Sequence, residues 1–343
     1  YDDVIMIKIE NLSRNFGNIK AVDDISFCIQ DREILGFLGP NGAGKTTTLR
    51  MIVGYLQPTS GNIEIDGESI FANPIKASSQ IGYLPEHNPL YDEMTVIELL
   101  AYFASLRKLK RDYFKERLDY VVKNCGLKEV LYQKIGTLSK GYRQRTGLAQ
   151  AILHNPRILI MDEPTSGLDP NQIIEIRELI RELGKEKMVL LSSHIMQEVQ
   201  ALCDRIVIIN KGKIIVDDTK DNLPNYLKKS RLLTLEVQGD NVDFSDFLAM
   251  YPFLEMEVFL QTETICKMGF YETSEIDLRK ELASFIRQKG WLILELSTSK
   301  LSLESIFHEL TEGEYSSAKT EVASPEQEEQ NAHITSIDEE EQQ

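Results

Sequence analysis

The 343-residue sequence predicts an α/β fold followed by a smaller α+β domain. Three observations carry that expectation. Residues 34–50, Ile34-Leu35-Gly36-Phe37-Leu38-Gly39-Pro40-Asn41-Gly42-Ala43-Gly44-Lys45-Thr46-Thr47-Thr48-Leu49-Arg50, read as strand, phosphate loop and helix. Further short apolar runs at 81–84, 158–161 and 188–191 suit strands buried in a parallel sheet. Beyond residue 230 the pattern changes to strand, helix, two strands, helix and strand.

Residues 39–46 fit G-x-x-x-x-G-K-[ST] at every fixed position. Glycines let backbone N–H groups turn inward around phosphate oxygens, so Gly39, Pro40, Asn41, Gly42, Ala43 and Gly44 read as an anion cradle. The following helix adds the positive end of its dipole. Lys45 supplies a cation for the outer phosphates, and Thr46 a hydroxyl for Mg²⁺. A nucleotide is the expected ligand.

The length allows about two domains and a sizeable core. The net charge of −16 is uneven, because residues 312–343 hold ten acidic residues and one Lys, or −9, leaving −7 for the rest. Neither part suits a general nucleic-acid binder, which needs basic surface. Cys28, Cys125, Cys203 and Cys266 form no metal-binding spacing, and free thiols in a reducing cytosol are the simplest reading. With no run of about 18 apolar residues and no signal peptide, any membrane role is expected to need a partner.

In chain order, residues 4–10 and 25–29 alternate as half-buried antiparallel strands around a turn at 15–18. Phe16 in that turn is either a core aromatic, the commoner fate, or a surface on which an adenine stacks. Residues 61–70 read as a strand interrupted by Asp66-Gly67, and residues 81–86 as a buried strand stopped by Pro85. Thr95 and Glu98 form a capping box for a helix with Ile97, Leu100, Ala101 and Ala104 on one face. A second helix begins near Asp112, carries Phe114, Leu118, Val121 and Cys125 on one stripe, and ends at Gly126. Residues 107–117 hold six basic and two acidic side chains, read as a solvated face or as a contact for anionic lipid or a membrane partner.

Ser139 caps a helix expected to run to Pro156, with Gly141 leaving its backbone N–H groups open to an anion. The strand over 158–161 ends in Asp162 and Glu163, a costly carboxylate pair unless a cation or substrate uses it. Asp162 is placed to hold the Mg²⁺ shell and Glu163 to polarise an attacking water. His194 follows the strand over 188–191, and such strand ends bind ligands in open parallel sheets. A hairpin around Lys211-Gly212 closes the first domain. Residues 231–296 then read as a ferredoxin-like βαββαβ unit, followed by a helix over 301–310 and an acidic, Gln-rich tail too poor in apolar residues to order.

The order of these motifs resembles that of the ATP-binding subunits of ABC transporters over residues 4 to about 220. On that resemblance residues 39–46 are the Walker A motif, residues 158–163 the Walker B strand with catalytic Glu163, Ser166 to Asp169 the D-loop, and His194 the switch histidine. ATP and Mg²⁺ are the implied ligands, with Phe16, residues 39–46 and Thr47 binding ATP and Thr46 and Asp162 the metal. Lys45, Glu163 and His194 are the implied catalytic set. Leu138-Ser139-Lys140-Gly141-Tyr142 is similar to the signature Leu-Ser-Gly-Gly-Gln, which contacts ATP held by a partner subunit. Two departures stand out: Lys140 and Tyr142 replace Gly and Gln, and Glu86 occupies the Q-loop glutamine position.

The chain is most similar to gliding-motility and multidrug-type exporter ATPases, whose permease is a separate chain. The implied architecture is a P-loop NTPase domain of ABC type over 1–220, with an N-terminal antiparallel β part and an inserted helical subdomain at about 90–155. A linker at 221–230, a small α+β regulatory or dimer-contact domain at 231–312 and a disordered tail at 313–343 complete it. The implied function is ATP hydrolysis by a homodimer or heterodimer that drives a membrane permease from the cytoplasmic face. The alternative is a soluble ABC-type switch acting on ribosomes or DNA, disfavoured by the single Walker set and the acidic charge.

Overall fold

The computed structural model describes residues 6–226, 231–262, 264–272 and 278–300, with Glu304, Phe307, His308, Leu310 and Thr311. The chain divides into two compact units, Tyr1–Tyr226 and Leu227–Gln343. In the first, β1 (Met6–Phe16) and β2 (Ile19–Gln30) form a hairpin, longer than the alternation alone predicts because both strands continue to the Gly17 turn. β3 (Ile34–Leu38) is wholly buried and feeds α1 (Lys45–Ile52) through the phosphate loop. β4 (Ser60–Ile65) and β5 (Glu68–Ser69) flank Asp66-Gly67, whose positive φ angles make the turn. These give an antiparallel sheet ordered β2-β1-β4-β5. α2 (Pro74–Gln80) escapes the periodicity because it buries only Ala77; Asn73 caps it.

β6 (Ile81–Leu84) leads into the helical insertion, α3 (Val96–Leu106), α4 (Arg111–Asn124) and α5 (Lys140–Ile152). β7 (Ile158–Asp162), α6 (Pro170–Gly184), β8 (Met188–Ser193), α7 (Met196–Leu202), β9 (Arg205–Asn210) and β10 (Lys213–Thr219) complete the unit. The second sheet runs β10-β9-β3-β8-β7-β6 and is parallel except for the β9–β10 hairpin. Three neighbouring strands therefore deliver Gly39, Asp162 and His194 to one sheet edge, where parallel sheets bind ligands.

The capping box on α3 forms as expected, with Thr95 N–H donating to Glu98 and Glu98 N–H to Thr95. Its buried face differs: Val96, Leu99, Leu100 and Ala104 are inside, while Ala101 is exposed and Ile97 only half-buried. The helix is rotated from the predicted stripe because it packs on both α4 and α5. The basic stretch also divides. Arg117 is buried, donating from Nε to Leu153 O at 3.2 Å and from Nη2 to Ile152 O at 2.9 Å. It satisfies carbonyls that the end of α5 leaves without helical partners. Arg107 donates to Ser78 O at 3.1 Å yet stays exposed, as do Lys108, Lys110, Arg111 and Lys115.

α5 stops at Ile152, short of Pro156, and the turn beyond it holds His154. His154 Nε2 lies 3.2 Å from Ile81 O, while Nδ1 is buried without a partner. Burial, then the charge of Arg107, pushes its pKa down to about 3. Between pH 6.5 and that value the unfolded chain binds a proton that the folded chain refuses, so stability falls as pH drops. The slope approaches about 1.4 kcal/mol per pH unit for one proton. His154→Leu should flatten this part of the stability profile, as denaturant titrations at pH 7 and pH 5 would measure.

In the second unit, β11 (Arg231–Gln238), α8 (Ser245–Met250), β12 (Glu255–Gln261), β13 (Ile265–Glu272), α9 (Arg279–Lys289) and β14 (Leu292–Lys300) follow the βαββαβ order. The sheet is antiparallel and ordered β12-β13-β11-β14, the ferredoxin-like arrangement. Phe247, Leu282 and Ile286 from the helices pack against Leu233, Leu235, Met268 and Phe270 of the sheet. The expected helix over 301–310 falls mostly, and the tail over 313–343 wholly, outside the described residues. Residues 223–226 form a short 3₁₀ turn in the first unit, and Tyr226 donates to Asp218. All four cysteines are free thiols. Among the described residues no helix is long and apolar enough to cross a membrane.

Candidate nucleotide-binding and catalytic site

The phosphate loop has the tight geometry its glycines predict. A Cβ at Gly39 would stand 2.4 Å from Ile209 O, and one at Gly44 2.5 Å from Ala21 O. Gly42 and Gly44 have φ angles of 79° and 108°, conformations that L side chains rarely adopt. Lys45, 6 % exposed, donates to Gly39 O at 2.7 Å and to Pro40 O at 3.2 Å. Burial pulls its ammonium below the ordinary lysine pKa, against the opposing pull of Glu163 and Asp162.

The end of β7 meets the end of β8 through Ser192. Ser192 Oγ donates to Asp162 Oδ1 at 2.6 Å and accepts from Glu163 N–H at 3.1 Å. Asp162 Oδ2 is buried with no protein partner. Glu163 has φ of 49°, a strained value for a non-glycine residue that its neighbours must hold in place. Its carboxylate, 6 % exposed, spans two cationic or potentially cationic groups: Lys45 Nζ is 3.6 Å from Oε1, and His194 Nδ1 is 2.9 Å from Oε2. A carboxylate can only accept, so the hydrogen of this bond is on Nδ1. Sequence reasoning missed Ser192; its place in Ser192-Ser193-His194, two residues before the histidine, was the available signal.

A cavity of about 360 Å³ is lined by Ala21, Asn41, Gly42, Gly44, Lys45, Thr46, Thr47, Glu86, Glu163 and His194. The structure thus brings together most of the predicted nucleotide and catalytic residues. Gly39, Pro40 and Ala43 shape the loop without lining the cavity. Phe16 lies on the β1–β2 hairpin outside the cavity lining, 47 % exposed, with the Arg14 guanidinium 4.7 Å over its ring. The core reading of Phe16 fails, because the hairpin projects it into solvent.

Ser139, Gly141, Tyr142 and Asp169 line a separate cavity of about 300 Å³ with Arg145, Asn171, Gln172 and Glu175. Ser139 caps α5 by accepting from Tyr142 N–H, and Asp169 caps α6 by accepting from Asn171 and Gln172 N–H. Lys140 faces a third cavity with Glu86, Asn88, Arg143 and Ser166, and its ammonium fills the space beside Gly167. Of the departures from the family pattern, Glu86 and Lys140 therefore share one cavity, while Tyr142 lines the other with Ser139 and Gly141.

Residues 22–166 match the family described as ABC transporter. The bacitracin transport ATP-binding protein BcrA of Bacillus licheniformis is 35 % identical over 311 residues, 90 % of this chain and 98 % of that one. The chain belongs to the ATP-binding subunits of ABC transporters. The linearmycin resistance ATP-binding protein LnrL of Bacillus subtilis is 39 % identical to this ABC ATPase over 240 residues, covering 70 % of it and 77 % of LnrL. A solved ATP-binding subunit of an ABC transporter superposes with a TM-score of 0.60 at 31 % identity, over 64 % of this chain and 92 % of that structure. Transport, rather than a ribosome- or DNA-directed switch, is what such relatives are named for. This ABC ATPase binds and hydrolyses ATP as a subunit of a transporter; subunits of its family dimerise and work with membrane permeases.

Proposed function

We propose that this ABC ATPase drives an exporter whose membrane path lies on a separate permease chain, at the cytoplasmic face of the membrane. Two ATP-binding subunits, identical or related, close around ATP. The observation that carries the reading is the Glu163 carboxylate held between Lys45 and His194 at the wall of the 360 Å³ cavity. Held there, Glu163 is the general base that takes a proton from the attacking water, and His194 fixes its orientation while meeting the γ-phosphate. Lys45 holds the outer phosphates, and Phe16, exposed on its hairpin, stacks on the adenine.

The donor set fits Mg²⁺. Asp162 has a buried anionic oxygen without a protein partner, and the Thr46 hydroxyl belongs to the cavity wall. When bound, Mg²⁺ would neutralise charge on the nucleotide's phosphates; Thr46 and Asp162 would hold it, and Glu86 lines the same cavity as Thr46.

Ser139 to Tyr142 meet the partner's ATP, which accounts for a signature surface apart from the chain's own nucleotide cavity. Gly141 packs against the end of the Gln172 side chain: a Cβ there would stand 2.4 Å from Gln172 Oε1 and would push that side chain aside. Gly141→Ala should lower steady-state ATP turnover through the displaced Gln172, by less than the roughly 10²-fold that a full ångström of misplacement costs. Adding Gln172→Ala returns the space and should restore much of the rate.

The cavity lined by Glu86, Pro89, Lys140 and Arg143 is the proposed permease contact. The second unit is a regulatory or dimer-contact domain. On likeness to the bacitracin and linearmycin proteins, the cargo class is an antibiotic. Purification of the tagged chain from detergent-solubilised native membranes with ATP tests the proposal. A polytopic permease should co-purify; a ribosomal or DNA-bound partner without one would overturn it.

A further inference from the structure

Glu198 is 2 % exposed and has no cationic partner among the ion pairs of the described residues. Both of its oxygens are used nonetheless. Thr165 Oγ1 donates to Oε1, and Ser193 Oγ donates to Oε2 at 2.9 Å. The carboxylate sits in the first turn of α7, where the helix dipole favours negative charge, so two hydroxyls and a helix end offset its desolvation.

The two donors come from the two loops that carry the reacting side chains. Thr165 follows Glu163 by two residues and precedes the D-loop; Ser193 immediately precedes His194. Ser193 Oγ also accepts from Ile195 N–H at 3.0 Å, closing a turn around His194, and Ser193 O accepts from Gly39 N–H at 3.4 Å. One buried carboxylate thereby ties the residue before the D-loop to the residue before the switch histidine, whose own carbonyl accepts from the first residue of the phosphate loop. Water at this site would bond the same hydroxyls without fixing their separation.

We propose that Glu198 is a positioning residue for ATP hydrolysis: it holds the backbones on either side of the Glu163–His194 pair so that their 2.9 Å bond survives hydrolysis and release. This rests on the roles proposed above for Glu163 and His194. Because Glu198 touches neither cavity wall nor phosphate loop side chain, its loss acts on the rate of the bound complex rather than on ATP capture.

The test is steady-state ATPase kinetics on the full chain for Glu198→Ala, His194→Ala and the double variant, with ATP affinity measured by fluorescent-nucleotide titration. Expected are a fall in kcat of about 10- to 100-fold for Glu198→Ala, the cost of a misplaced catalytic group, with KM within about twofold of the parent. In the His194→Ala background the same substitution should have little further effect. Multiplying penalties, or a change confined to KM, would overturn the proposal. Thr165→Val and Ser193→Ala each remove one donor and should reproduce part of the kcat loss with unchanged KM; two unaffected variants would overturn it even if Glu198→Ala does not fold. The catalytic reading fails separately, if Glu163→Gln leaves turnover intact.

Discussion

Glu163→Gln is expected to cut ATP turnover by about 10²- to 10⁴-fold, the usual worth of a general base, while ATP still binds. The geometry explains why the two effects should separate. Glu163 contributes no atom to the phosphate loop, whose shape depends on Gly39, Gly44 and their backbone neighbours. An amide of equal size can keep the contact to His194, donating or accepting at 2.9 Å, and leaves the backbone bonds to Ser192 untouched. It cannot take a proton from water. The variant should therefore accumulate as the ATP-closed dimer, visible by size-exclusion chromatography with light scattering at saturating ATP. Turnover at the parent rate would remove Glu163 from the base role, and loss of nucleotide affinity would mean that the carboxylate instead supports Lys45.

How much of this was legible in the sequence depends on the reach of each interaction. The phosphate loop was readable because its requirements are local: six consecutive backbone units and one lysine make up the proposed phosphate cradle, and each residue type states its own requirement. The ends of β7 and β8 were half readable. Asp162, Glu163 and His194 announce themselves as charge after an apolar run, but Ser192, which joins Asp162 to Glu163 N–H, is an ordinary small polar residue until strand pairing sets the two ends side by side. Glu198 was hidden for the same reason, since its partner Thr165 lies 33 residues away. Arg117 was misread because a charge on an amphipathic helix gives no sign that it reaches the carbonyls at the end of another helix. The α3 face was misjudged by a fraction of a turn because periodicity identifies a stripe, while two packing partners decide which edge of it is covered. The ferredoxin-like order of the second unit was accessible because each of its elements is short, periodic and bounded by turns.

Gly44→Ala should abolish measurable ATP binding, whereas Gly42→Ala should only weaken it, and the contrast separates two costs that usually travel together. Both glycines have positive φ, so alanine at either pays for the left-handed region, about 1–2 kcal/mol, or roughly 5- to 30-fold in affinity if borne wholly by the binding-competent loop. At Gly42 that is the whole penalty, because a Cβ there meets no atom within 4 Å. At Gly44 the φ of 108° lies farther from any conformation that alanine tolerates, and its Cβ would stand 2.5 Å from Ala21 O. That carbonyl is backbone of β2, at the irregularity where Ala21 is skipped in the pairing with β1, so displacing it means moving the chain itself rather than the end of a flexible side chain. Gly44 is also the residue from which α1 starts, and shifting it turns the first N–H groups of the helix away from the phosphates. The combined cost should exceed about 3 kcal/mol, more than a 100-fold loss, with the fold retained because the strained position lies in a surface loop rather than in the core. Isothermal titration with ATP, alongside thermal melts of both variants, measures the two effects. Equal losses at Gly42 and Gly44 would show that backbone conformation alone sets the requirement for glycine, and that the approach of Ala21 O carries no weight.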